Sequence, residues 1–424
     1  MTRSGTAAPP TARTGPIMTE RRTGLVGGLL VAIGPVSMAL YTPAMPALVV
    51  AIDTTPGIVK LTLAIYFAGF AITQLVCGPV SDAFGRRPAT IAFMLLYMVG
   101  ALAAMVAPTV EILLAARLLQ GCGASIGLAT ARAIVRDQFT GEQSSRILNT
   151  IGIVLALGPA VSPTIGGIVL DLAGWGAIFV AMVVFGIGVI LVTLLVMRET
   201  VVPDRSRIAP RQIGRAYATL LTHPHFVTSS LTVAGAVGTL YALATMLPFV
   251  LIDRAGLTPT QFGIGMLAQS GSFFFGSIAG KLAMRRVGAR ALVAPGLALI
   301  ALGSLGLVVS IALLPVSYAS IMVPVGFYAF GIALVMPAMT TAALAPFPTM
   351  AGAAAAMTGF IQMGAGLLGG LAAAAIGEPV LATQTVIPCL GAISIGAYLV
   401  HRRLPPPSPA ERRAGSETAP AAAG

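Results

Sequence analysis

The sequence predicts an all-α membrane protein with twelve transmembrane helices in two pseudo-symmetric six-helix bundles. Three observations carry this. Of 424 residues, 57% are hydrophobic and 9% charged, and the mean hydropathy is +0.93, whereas a soluble domain carries about 25% charged residues. Charge-free runs recur at about 20 residues, the length that crosses bilayer hydrocarbon. Lysine and arginine gather in alternate gaps between those runs. The 49 glycines and 30 prolines fit the same class, since transmembrane helices tolerate both.

In chain order the first six runs are Gly24 to Val50, Leu61 to Val80, Ala89 to Ala107, Ile112 to Ala131, Leu148 to Leu170 and Trp175 to Val196. After a charged gap come Phe226 to Leu251, Phe262 to Ala283, Ala291 to Leu314, Tyr318 to Leu344, Gly352 to Ile376 and Val380 to Val400. The uncharged stretch from Ala291 to Gly377 is divided at Pro315 and at Pro346 and Pro348, where proline interrupts helix most readily. Of the 25 Lys and Arg, 22 fall on the side of both termini, Lys60 and Arg254 on the other, and Arg117 inside a span. The positive-inside rule then makes the termini cytoplasmic.

Residues 1–22 are expected to be a disordered cytoplasmic tail: the first seventeen are Ala, Thr, Pro and Arg with no apolar stretch of a signal peptide, and Met18 is an alternative start. A six-helix bundle follows over 23–197, then a polar cytoplasmic linker over 198–225, a second bundle over 226–404, and a disordered tail over 405–424. An internal repeat supports the division. At an offset of 203 residues, Gly85-Arg86-Arg87 falls on Gly288-Ala289-Arg290, and Gly166-Gly167 on Gly369-Gly370. Paired bundles of this kind hold substrate between them near the midplane.

The net charge of +12 does not imply nucleic acid, because the basic residues are scattered in short loops without a basic arm interleaved with aromatics. Cys77, Cys122 and Cys389 lie far apart inside apolar runs and read as small hydrophobes. His223 and His225 in the linker would lack a third metal ligand, His401 being at a distant helix end, so no metal is expected. No constellation of His, Asp and nucleophile falls inside a span, so no enzyme and no cofactor are expected.

Three motifs carry mechanism. Gly78-Pro79-Val80-Ser81-Asp82-Ala83-Phe84-Gly85-Arg86-Arg87 between spans two and three sets one carboxylate beside two guanidiniums in a glycine-hinged turn. Such a turn can pair with a helix end or with charges of the other half and act as a conformational switch. Arg117 and Gln120 lie in span four, Arg117 six residues past Glu111, about 9 Å deep. A guanidinium at that depth is a functional candidate, with snorkelling to headgroups as the alternative. Gly158, Pro159, Pro163, Gly166 and Gly167 in span five kink a helix and expose its backbone. Gly263, Gly271, Gly276 and Gly280 in span eight offer a matching groove, and the two helices are expected to seal the outer gate.

These motifs resemble those of the major facilitator superfamily: the loop G-x-x-x-D-x-x-G-R-R, the R-x-x-Q-G element whose arginine is associated with proton coupling, and the antiporter element G-x-x-x-G-P-x-x-G-G, with Ser162 replacing its second glycine. Gly34-Pro35-Val36-Ser37, Tyr41-Thr42-Pro43-Ala44-Met45-Pro46, Leu61-Thr62-Leu63, Gly69-Phe70-Ala71 and Ala131-Arg132-Ala133-Ile134-Val135-Arg136-Asp137 resemble the Bcr/CflA type of drug-resistance transporter. The resemblance implies a monomer in the bacterial inner membrane that exports amphiphilic antibiotics in exchange for protons. A proton-independent facilitator or metabolite exporter on the same fold is the alternative.

One position departs from the pattern. Where that family commonly carries an aspartate two residues before the span-one tyrosine, this chain has Ala39. None of the 13 carboxylates is expected at the bilayer midplane, so the proton carrier has no assigned residue, with Asp82, Glu111 and Asp171 nearest. Side chains suited to varied lipophilic ligands and expected to face a central cavity are Met38, Tyr41, Gln74, Gln120, Tyr241, Met246, Gln269, Phe273, Met336 and Gln362. The lack of a buried carboxylate favours neutral or weakly charged drugs, such as phenicol-like antibiotics. The expected partners are thus small-molecule drugs, protons and membrane lipid.

Overall fold

A computed structural model describes residues 16–405, and among these every regular element is helical. Inside a bilayer each backbone N–H and C=O must be satisfied within its own segment, which a charge-free run achieves as helix. The elements are α1 (Glu20–Tyr41), α2 (Met45–Ala51), α3 (Pro56–Phe84), α4 (Arg86–Met105), α5 (Val110–Ala124), α6 (Ile126–Arg136), α7 (Gly141–Leu195), α8 (Pro210–Thr222), α9 (Pro224–Pro248), α10 (Pro259–Val287), α11 (Val293–Leu313), α12 (Tyr318–Leu344), α13 (Ala351–Ile376) and α14 (Pro379–His401). Eleven helical stretches among the described residues are long and apolar enough to cross a membrane. One of them, α7, has 55 residues and breaks at Gly174, where φ is 76°. It carries spans five and six, so the eleven stretches hold twelve spans.

Helix starts follow local chemistry. The Thr55 hydroxyl accepts from Ile58 N–H, with Pro56 in the first turn of α3. Thr258 does the same for α10 with Pro259 behind it, and Gln261 completes a capping box. Thr55-Pro56 and Thr258-Pro259 are themselves 203 residues apart, an instance of the repeat not singled out in the sequence. The repeat is also conformational. Gly85, ending α3, has φ 100° and ψ 147°, and Gly288, ending α10, has φ 80° and ψ 159°, a region that disfavours side chains.

Two large apolar cores form, one from spans one to six and one from spans seven to twelve. They are joined by two helix pairs, α3 against α13 and α7 against α10. A third, smaller core of Leu220, Phe226, Ala343, Phe347, Ala354 and Met357 sits at the face carrying both described chain ends.

Several expectations change in detail. The tail predicted over 1–22 ends earlier, because Met18 is buried, its N–H donates to Gln138 Oε1 at 2.8 Å, and Glu20 to Arg22 form the first turn of α1. Residues 1–15 and 406–424, expected to be disordered, lie outside the described residues. The linker holds a helix, α8, in which Ile213, Tyr217 and Leu220 share one face at helical spacing. Cys389 is exposed rather than buried. All three histidines meet at the terminal face, His225 lying 5.9 Å from His223 and 5.4 Å from His401 between ring centroids. His401 is held by the Thr228 hydroxyl at 2.9 Å. Among the described residues no His, Cys, Asp and Glu group is spaced to hold a metal ion.

The linker helix is pinned for a reason that lies in the proline pattern. Pro79 has no N–H to give to the carbonyl of Leu75 one turn earlier, and the Tyr217 hydroxyl donates to that carbonyl at 2.5 Å. Burial pushes the Tyr217 hydroxyl up to about 12, so it stays a protonated donor at neutral pH. Tyr217→Phe is expected to cost about 1 kcal/mol by leaving the carbonyl unmet. The check is the thermal midpoint of the purified variant together with protease sensitivity of the linker: α8 should become cleavable.

Candidate functional site

Span four is built to bring a cation against three neighbours. A Cβ at Gly121 would collide with the Tyr66 carbonyl of α3, one at Gly123 with Tyr97 of α4, and one at Gly127 with the Leu30 carbonyl of α1. These absent side chains let α5 and α6 pack directly on the backbones around them. Arg117 is thereby enclosed and fully buried. Its guanidinium carbon lies 4.2 Å from the centroid of Tyr41 and 4.5 Å from that of Tyr66. Nη1 donates to Gln120 Oε1 at 2.7 Å, while Nε and Nη2 have no hydrogen-bond partner among the described residues.

The surrounding tyrosines are fixed in turn. Tyr41 shares a 2.6 Å hydrogen bond with Thr62, Tyr97 one of 2.6 Å with Ser37, and the Tyr66 hydroxyl donates to Gly34 O at 3.0 Å. Gln120 Nε2 reaches Met182 Sδ at 3.4 Å. The result is a cation held by ring faces instead of a carboxylate. Arg117 therefore points inward and does not snorkel.

The loop after span two closes on its own half. Arg86, 2% exposed, pairs with Asp82, donates from Nε to Asp137 Oδ2 at 3.1 Å and from Nη1 to Ser81 Oγ at 2.9 Å. Arg87 donates to the carbonyls of Thr193 and Leu194 at 3.2 and 2.7 Å, capping the last turn of α7. Glu199 receives the backbone N–H groups of Arg86 and Arg87 at 2.9 and 3.1 Å, a carboxylate on a helix N-terminus. Asp137 and Glu199 were not among the expected site residues. Each lies just past the end of a span on the terminal face, and Asp137 also ends the stretch from Ala131 that resembles the Bcr/CflA type. Gly78 has open space beside it, whereas a side chain at Gly85 would meet the Glu199 carboxylate.

Span five uses its two adjacent glycines in two directions. A Cβ at Gly166 would strike the Leu40 carbonyl of α1, and one at Gly167 the Pro259 carbonyl of α10 in the other half. The repeat reproduces this in span eleven: Gly369 faces Ala242 of α9 and Gly370 faces Ala64 of α3, at 2.7 and 3.0 Å from the same hypothetical atoms. Gly158 lies beside Val36. Pro159 and Pro163 interrupt the helix ladder within α7. The Pro163 carbonyl meets Gly263, and Thr164 Oγ1 donates to Gly263 O at 3.0 Å. Of the span-eight glycines only Gly263 faces span five. Gly276 and Gly280 face α12, and Gly271 faces open space. Gly167→Val is expected to push α7 off α10 and reduce transport about tenfold or more while both halves still fold. A transport assay beside near-unchanged membrane yield is the check.

The expected cavity residues divide. Tyr41, Gln120 and Met246 are buried in packing, Tyr41 and Gln120 on Arg117 and Met246 in the second core. Gln74 is also buried, against Gly359 across the halves. Tyr241 packs against Phe67 of the other half at 5.4 Å between centroids. Met38, Tyr241, Gln269, Phe273, Met336 and Gln362 keep part of their surface, and Gln269 Oε1 is an acceptor without a partner among the described residues.

Residues 25–374 match the family model described as Major Facilitator Superfamily. The chain belongs to the major facilitator superfamily. Its members are transporters, not enzymes. The chain is 32% identical over 376 residues to an uncharacterised MFS-type transporter, YdgK, of Bacillus subtilis (strain 168), covering 86% of this chain and 90% of that protein. It is 27% identical to multidrug resistance protein D of Escherichia coli (strain K12), covering 81% and 86%. It is also 27% identical to a bicyclomycin resistance protein homologue of Haemophilus influenzae, covering 81% and 86%. These relatives bear out the resemblance to Bcr/CflA-type transporters. Among solved structures, the D-xylose-proton symporter aligns with a TM-score of 0.70 at 13% identity over 91% of this chain and 98% of that one. An inward-facing bacterial homologue of the human lysosomal transporter Spinster aligns with a TM-score of 0.68 at 14% identity, covering 92% and 99%. At such identities the likeness is one of superfamily fold. The protein is a multi-pass membrane transporter.

Proposed function

We propose that this transporter exports small amphiphilic antibiotics across the bacterial inner membrane in exchange for protons, with both termini in the cytoplasm. The observation that carries the coupled reading is the caged Arg117: a buried fixed charge that no carboxylate among the described residues neutralises, stacked on the rings of α1 and α3. A charge so placed is costly and is retained where it biases a transport step. Arg117 and Gln120 act as the coupling element. The loop of Gly78, Asp82, Gly85, Arg86 and Arg87 holds spans two, three, four and six as one body. Pro163 and Gly167 let span five slide on span eight, while Gly158 and Gly166 seat it on span one and Pro159 bends it.

Drug export is supported by the multidrug and bicyclomycin relatives, and by a chloramphenicol resistance protein of Pseudomonas aeruginosa, 32% identical over 240 residues, which are 56% of this chain and 55% of that protein. The half-exposed Met38, Tyr241, Gln269, Phe273, Met336 and Gln362 form the drug surface, and with no carboxylate among them neutral amphiphiles are preferred. Ala39, at the position where the Bcr/CflA resemblance leads one to expect an acid, favours one second reading, a proton-independent facilitator.

The test is drug-triggered proton release from acid-loaded inverted vesicles of a host lacking its own exporters. Release that needs both drug and this protein, larger for neutral phenicols than for ethidium, is expected. Drug movement without proton movement would replace antiport by facilitation, and better transport of ethidium would overturn the preference for neutral drugs.

A further inference from the structure

The face opposite the chain ends carries two basic residues in the sequence, Lys60 and Arg254. Both converge on one turn. Arg254 pairs with Glu378 at 3.1 Å within the second half. Lys60, in the first turns of α3, crosses between the halves. Its Nζ donates to Gly377 O at 3.0 Å, the C-cap carbonyl of α13, and to Ala373 O at 3.3 Å in its last turn, which also accepts from Gly377 N–H. The side chain is fully buried, with Phe249 of the second half beneath it at 5.5 Å. A helix C-terminus concentrates partial negative charge on carbonyls that lack intrahelical partners, so Lys60 is a cation capping a helix of the opposite half.

The second cross-half pair has the complementary arrangement. Asp171, near the end of span five, accepts from Thr260 N–H at 3.2 Å and Thr260 Oγ1 at 2.5 Å, in the first turn of α10. This is an anion on a helix N-terminus. The repeat relates the two contacts, since Asp171 and Thr260 fall 203 residues from Ala374 and Gly57, and a Cβ at Gly57 would lie 3.1 Å from Ala374 O. At the same end η1 (Thr42–Ala44) touches α9 and α10, and α2 touches residues 249–254. The halves are thus closed here, and both helix pairs that join them are tied by a charge on a helix end.

We infer that Lys60 is the latch of the outer gate: it holds the two halves together at the outer face by capping α13, and export requires that cap to break and re-form. Lys60 is a positioning residue: its contacts are with a helix end of the other half and not with the drug surface proposed above. Asp171, which is exposed, is the weaker partner on the other helix pair. The inference rests on the inside-out assignment and the alternating movement proposed above, but not on which drug moves or on protons.

The test reads gate opening directly. In full-length protein with Cys77, Cys122 and Cys389 replaced by serine, Ala44→Cys places a thiol at a contact that is 1% exposed. Its labelling by a membrane-impermeant maleimide added outside intact cells reports the open gate. Lys60→Met should raise the labelling rate about tenfold, and Lys60→Arg, which keeps the cation, should stay within about twofold of the parent. An unchanged rate in Lys60→Met overturns the latch. If Lys60→Met fails to reach the membrane, Gly57→Cys with Ala374→Cys decides instead. Joining them with a reducible bifunctional reagent should stop transport and reduction should restore it, whereas full transport in the joined protein shows that this end need not open and overturns the latch. Labelling needs no drug, so loss of the drug-export reading would appear separately, as wild-type protein that moves none of the antibiotics.

Discussion

Arg117→Ala is expected to lower drug export on the order of 100-fold while membrane insertion stays intact, because removing a guanidinium from a span eases insertion. Arg117→Met is the sharper variant, filling most of the volume between Tyr41 and Tyr66 without charge. Its thermal midpoint should match or exceed that of the parent, since a buried cation without a carboxylate partner is not a stabilising element. Arg117→Lys should recover little: an ammonium cannot lie flat between two rings and still reach Gln120. Drug susceptibility of cells expressing each variant, beside membrane yield, checks all three. Unchanged resistance in Arg117→Met would reduce Arg117 to a packing role.

Arg86→Met is expected to destabilise the first half by about 3 kcal/mol, because it removes the cation that pairs with two carboxylates, Asp82 and Asp137, in a nearly closed site, and leaves Asp137 the Thr200 hydroxyl. The loss is electrostatic and not one of volume, so Arg86→Met with Asp137→Asn should lose less than the two single changes added together. Thermal unfolding of the purified proteins measures this. If the double variant is as unstable as the sum, the arginine acts through Ser81 and the α4 start and not through Asp137. Either way the network lies within one half, so its failure should loosen spans two, three and four together and leave the second core intact.

The membrane spans and the repeat were legible because they rest on covalent sequence alone. A run of about 20 uncharged residues has one stable form in hydrocarbon, and the offset of 203 residues recurs in the geometry of Gly85 and Gly288 and in the paired contacts of Gly166-Gly167 and Gly369-Gly370. Arg117 was legible because depth makes any charge conspicuous. Less legible was the direction in which apolar residues face. Tyr41 and Met246 were expected to line a cavity and are buried, while Gly276 and Gly280 turn to α12 instead of span five. In water a helix advertises its inner face by contrast with a polar one, but lipid is as apolar as a core, so the contrast is missing.

The sequence by itself determined that this chain spans a membrane twelve times as two related halves, and which motifs lie at their turns, since composition, run length and spacing suffice for that. Only the tertiary structure decided what the polar side chains do. Glu199 finds the start of α4, Tyr217 the carbonyl that Pro79 leaves open, and Lys60 the end of a helix more than 300 residues further along the chain. Each is a contact between a side chain and a distant backbone group. Backbone acceptors and donors are the same at every residue, so no residue type at the far end marks them until the fold brings the pair together.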